Sequence, residues 1–167
     1  EWTAAWWRWA ISMPIASHPL FDTADCNAGQ AGPVWFLGGA FTGSTTTRHC
    51  TVAAGRAILF PAVNAECSDI EPPPFFGGTE QERRDCAAAF LDLATDWFAT
   101  LDGSPLPMSR VQSPDFSFSA PADGLFGPDP VSGLSVSDGY WVFLTPLSAG
   151  IHTLHFGGMF PGFPLDG

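Results

Sequence analysis

Apolar positions at the start of the chain follow a helical period. Trp2, Trp6, Trp9 and Met13 recur at steps of four, three and four, one stripe of an α-helix, and Pro14 stops it. The stripe is expected to pack against a sheet, whereas Trp7 falls off it and becomes a candidate platform for a sugar or a partner protein. A second helix is predicted near 79–97. Thr79 with Glu82 three residues on reads as a capping box, and Cys86, Phe90, Leu93 and Trp97 repeat the four-three-four spacing.

Other segments have strand character. "PVWFLGG" is a short apolar run between proline and glycine, and "STTTRHCTV" mostly alternates and is rich in β-branched threonine. "RAILFPAV" is continuously apolar, which suits burial on both faces, with Pro61 marking a bulge or strand end. "NAECSDIEPPPFFGG" reads as a loop, and Asp102-Gly103 is a hairpin signal. "VQSPDFSFSAP" alternates Phe116 and Phe118 with small polar residues, and "SVSDGYWVFLTPL" and "IHTLHFGG" are strongly β in character. These elements predict one domain over 1–167, mostly β with two α-helices, arranged as an antiparallel β-sandwich of jelly-roll or immunoglobulin-like type. A lipocalin-like β-barrel is the alternative. The ending "MFPGFPLDG" offers no closing strand, so either a sheet edge stays open or the native chain continues past Gly167.

Composition narrows the partners. With 46% hydrophobic and 14% charged residues, the 167-residue chain is expected to fold rather than stay disordered. The net charge is −11 and all six basic residues are scattered arginines. Nothing resembles the basic stripe that displaces counterions from phosphates, so nucleic acid is excluded as a partner. No apolar run approaches the roughly 20 residues that span a bilayer, and membrane insertion is not expected.

The cysteines, Cys26, Cys50, Cys67 and Cys86, form no C-x-x-C pair, which argues against a zinc ribbon or a thioredoxin-type centre. Pairing Cys26 with Cys50 and Cys67 with Cys86 is favoured because it closes separate, successive loops. Disulfides imply an oxidising compartment, secreted or cell-surface, and a chain that begins at Glu1 without an initiator methionine suits a processed export product.

Candidate chemistry concentrates in the proline-rich loop. Glu66, Asp69 and Glu71 offer hard oxygens for calcium, the one cofactor in view. With a histidine such as His155 they would also suit acid–base work on a glycoside, given a separation of roughly 5 to 9 Å. A solvated acidic loop is the plain alternative. Asp123 and Asp129 form a second calcium locus that turn chemistry explains equally well. His152 and His155, three apart on a strand, point to opposite faces, so a metal centre would need one of them with His18 or His49. No G-x-S-x-G elbow and no phosphate-cradling glycine pattern occurs. Phe75 and Phe76 sit between prolines and glycines. They either cover a sheet edge or join Phe126, Phe160 and Phe163 in an exposed binding patch.

The stretches "GPVWFLGG", "CTVAAGRAILFPAVNAEC" and "DGYWVFLTPLSAGIHTLHFGG" resemble segments of an uncharacterised family of exported bacterial β-rich proteins. That resemblance implies a secreted β-rich domain and assigns no activity. The segment from Gly150 to Phe156 is also similar to late strands of sugar-binding and immunoglobulin-like sandwiches. The function expected is an exported, non-enzymatic protein that binds or self-assembles through aromatic and proline-rich loops and an open sheet edge. Its partner would be a second copy, another surface protein or a polysaccharide. The alternative is a small secreted polysaccharide-active hydrolase or lyase using the loop carboxylates.

Overall fold

The computed structural model describes residues 1–18, 20–21, 25–40 and 45–161, so Phe163 lies outside the described residues. In chain order the elements are α1 (Trp2–Ile11), a 3-10 turn (Ile15–Ser17), β1 (Val34–Phe36), β2 (Ala57–Ser68), α2 (Glu80–Leu91), β3 (Thr95–Leu101), β4 (Ser104–Pro105), β5 (Ser109–Gln112), β6 (Phe116–Ala120), β7 (Val131–Leu144) and β8 (Leu154–Met159). Strands predominate and two α-helices are present, as expected.

The sheets depart from the expected architecture. The larger one runs β1-β2-β7-β5, with β6 beside β5 on the same edge of β7; the smaller one runs β4-β3-β8. β1 pairs with β2 in parallel, so the larger sheet is mixed and not antiparallel. Its strands curl into a half-barrel, in place of the all-antiparallel sandwich or closed lipocalin-like barrel. "STTTRHCTV", expected as a neighbour strand, forms no strand over its described residues, 45–52.

α1 covers one face of the larger sheet. Trp6, Trp9 and Met13 are buried against Leu59, Phe116, Phe118 and Trp141. Trp6 meets Trp7, Trp9 and Trp141 edge-on, the arrangement that ring quadrupoles favour. The indole N–H groups of Trp6 and Trp9 donate to the carbonyls of Leu37 at 2.7 Å and Ala28 at 3.0 Å, so each buried ring keeps its polar edge satisfied. The opposite face carries the smaller sheet at one end, through Trp35, Ile58, Phe60, Ala99 and Val142, and α2 at the other, through Val63, Leu91 and Tyr140.

The register of β2 against β7 shifts between Pro61 and Val63, the bulge that a proline in a strand demands. Beyond it the strand continues through Asn64, Glu66 and Cys67 to Ser68, residues expected in a loop. Cys67, buried and bridged to Cys86 of α2, anchors this low-propensity stretch, and the second bridge joins Cys26 to Cys50. Both pairings are those favoured from the sequence.

The capping box forms: the Glu82 amide donates to Thr79 Oγ1 at 3.2 Å, and the Thr79 amide to Glu82 Oε2 at 2.8 Å. α2 nevertheless ends at Leu91 and not near Trp97, because the chain from Thr95 is claimed by pairing with β8. Asp102 and Gly103, with φ of 51° and 80°, make the expected hairpin turn between β3 and β4.

Candidate functional site

Antiparallel pairing sets a polar row into the α1 face of the larger sheet. Asn64 stands opposite Gly139, Glu66 opposite Ser137 and Ser68 opposite Ser135, so these side chains share the face that Trp141 presents to α1. After Ser68 the chain folds back, and the Ser68 amide donates to the Phe75 carbonyl at 3.1 Å. That reversal carries Glu71 over the end of β2. The Glu71 amide donates to Ser68 Oγ at 3.2 Å, and Ser68 Oγ donates to Glu71 Oε2 at 2.8 Å.

The carboxyl groups of Glu66 and Glu71 are in hydrogen-bond contact. Glu66 is only 8% exposed and also accepts from the Ser135 hydroxyl. Burial, and next the adjacent Glu71 charge, push the Glu66 carboxyl well above the usual carboxylate range; burial raises Glu71 as well. The adjacent Glu71 charge therefore disfavours ionisation of Glu66 beyond what burial alone does.

The pair lines a cleft of about 980 Å³. This cleft touches the six consecutive residues Pro61 to Glu66, and since neighbouring residues alternate faces, it meets β2 at its edge. That edge has lost its neighbours: the last bond from the β1 side is the Leu37 amide to the Leu59 carbonyl at 3.0 Å, and the next is at Ser68. Among the described residues no strand pairs with the stretch between them. Phe75, Phe90, Phe98 and Phe156 add aromatic wall.

Several buried polar atoms here lack a hydrogen-bond partner. Trp7 Nε1 and Asn64 Nδ2 belong to residues lining the cleft, and Ser137 Oγ and Trp141 Nε1 lie beneath it on the same face. Groups of this kind are satisfied by water or ligand when a protein is at work.

The residues singled out from the sequence separate accordingly. Glu66 and Glu71 come together, whereas Asp69 turns aside, its Oδ1 accepting from the Leu134 amide at 2.8 Å to tie the loop to β7. Trp7 is 5% exposed yet lines the cleft; Phe75 lines it while stacked on Phe90 at 4.5 Å; Phe126 lines it while stacked on Phe118 at 5.1 Å. Phe76, 49% exposed, stands outside, and Phe160 packs with Val63 and Leu91. Asp123 serves its turn through backbone bonds, and among the described residues no three His, Cys, Asp or Glu side chains converge as a metal set.

The histidines do not meet. His155 packs on Phe98, and His18 is fully enclosed. His152 Nδ1 lies 2.8 Å from Asp102 Oδ2, and its Nε2 lies 3.0 Å from the Ser148 carbonyl and 3.3 Å from Ser148 Oγ. The hydrogen bond with Asp102, then the Ser148 carbonyl, raise its pKa. The ring thus links two loops, through Asp102 on one side and Ser148 on the other.

Asn64, Ser135, Ser137 and Trp141 were not singled out from the sequence, since only the pairing of β2 with β7 brings them beside the carboxyl pair. No family model, curated protein or solved structure matches this chain, so the functional reading rests on geometry.

Proposed function

We propose that this is an exported, non-enzymatic binding protein whose cleft holds a segment of a hydroxyl-rich polymer, a polysaccharide. The contact between Glu66 and Glu71 carries the reading. Two-carboxylate glycoside hydrolysis needs its acids at least about 5 Å apart to leave room for the sugar carbon or a water, and carboxyl groups in hydrogen-bond contact are too close for either geometry. Their oxygens do, however, accept from sugar hydroxyls. Trp7 and Asn64 line the same cleft as the rings of Phe75, Phe90, Phe98 and Phe156, and such rings suit the apolar faces of pyranose rings. The two disulfides support an oxidising, extracellular setting, and among the described residues no helix is long and apolar enough to cross a membrane.

The test is retention on a panel of insoluble polysaccharides, followed by calorimetry with soluble fragments of any that bind. Wild type is expected to be retained, and Asn64→Ala to weaken binding at least tenfold with an unchanged melting temperature. Absence of retention across the panel, or release of shortened fragments by the protein, overturns the reading.

A further inference from the structure

We propose that Glu66 and Glu71 together form a binding site for a hard divalent cation, calcium, with the neighbouring serine hydroxyls and the Asn64 side chain completing an all-oxygen shell. The ion would sit on the same carboxyl pair that the polysaccharide reading uses, and the test takes the ion alone so that the two can fail separately.

The donor set selects the ion. Two carboxylates and the hydroxyls of Ser68 and Ser135 stand together, with Asn64 on the same face of β2, and no imidazole or thiolate stands among them, because Cys67 is committed to its disulfide. Zinc and copper favour nitrogen and sulfur; calcium favours oxygen, in flexible shells of six to eight that water completes. A second observation points the same way. Ser137 Oγ, on a residue 0% exposed, lies directly across the strand pair from Glu66 and has no hydrogen-bond partner. Asn64, two residues from Glu66 on the same face, has an unpartnered amide nitrogen, and a half-turn of that amide presents its oxygen instead.

The folded chain holds two carboxylates side by side with little water between them, each already bonded to a serine hydroxyl, and a divalent cation neutralises both. Glu71, half-buried on the cleft wall, supplies the way in. Two charged ligands in place of the four or more of a high-affinity loop make a weak site, in the range of about 0.1 to 1 mM found in extracellular modules.

The experiment is titration of chelator-treated protein with calcium chloride by calorimetry, with thermal melts at about ten times the dissociation constant. One ion per chain and a raised melting temperature are expected. Glu66→Gln and Glu71→Gln should each abolish both effects, while Asp69→Asn keeps them. Should Glu66→Gln not fold, the partly exposed Glu71→Gln decides between site and no site. Absence of calcium heat and of a melting shift in wild type, or binding unchanged in Glu71→Gln, overturns the site. No glycan enters this measurement, so its failure is separate from failure of the polysaccharide reading.

Discussion

Acidification tests the enclosure of His18. The ring is 0% exposed, lies edge-on to Phe21 at 5.3 Å, and accepts from the Leu20 amide at Nδ1 over 3.2 Å. An accepting Nδ1 fixes the neutral Nε2–H form, so a second proton must replace that bond and bring a charge into a space without water. Burial accordingly lowers the pKa to about 4 from the ordinary 6.5, with a backbone contact to Ala10 offsetting part of the effect. Between those values the unfolded chain takes up a proton that the folded chain refuses. The stability this residue permits is therefore complete above pH 6.5 and declines as the pH falls toward 4. A difference of roughly 2.5 pH units corresponds to about 3 kcal/mol. Urea unfolding followed by tryptophan fluorescence, on wild type and His18→Gln at neutral pH and near the lowered pKa, isolates the effect because the carboxylates cancel in the difference. The stability of wild type relative to the variant should drop by about 3 kcal/mol on acidification. A difference that stays constant refutes the enclosure.

Two further outcomes follow from packing. Replacing Cys67 and Cys86 together by serine opens a loop of 19 residues and should cost about 3 kcal/mol, read as a lowered urea midpoint; an unchanged midpoint would show that the bridge holds nothing. Gly139→Ala would place a methyl group 2.6 Å from Trp141 Nε1 and 2.8 Å from Asn64 Cβ. The resulting displacement should cost about 1–3 kcal/mol and alter the near-ultraviolet circular dichroism of tryptophan, whereas an unaltered spectrum would mean that the indole does not lie over this glycine.

Local signals in the sequence foretold local structure. The capping box, the Asp102-Gly103 turn and the bulge at Pro61 each depend on residues within one turn or strand, and each is found where its spacing placed it. The tryptophan stripe holds in part: Trp6 and Trp9 are buried, but Trp2 is exposed, Trp7 from off the stripe joins the core, and the helix ends at Ile11, short of Met13. Misreadings arose where distant pairing decides. Leu93 and Trp97 continue a helical period by coincidence; strand β8, some 60 positions away, captures that segment. "NAECS" has poor strand propensity and reads as a loop until β7 and the Cys67 bridge hold it straight. The site was legible only in part for the same reason. The glutamates stood out as a cluster, but Asp69 could not be told from its neighbours, and the partners of Glu66 on β7 lie about 70 residues away.

The parallel entry of β1 has a bearing on how copies of this chain treat one another. Parallel neighbours require the chain to double back between Phe36 and Ala57, and the Cys26–Cys50 bond closes a ring of residues that includes β1. A strand with a free end can be lent to an adjacent molecule, the route by which domains are swapped. Once oxidised, this strand can leave its place only as a closed hoop, so trading of β1 between molecules is confined to the interval before the bridge forms.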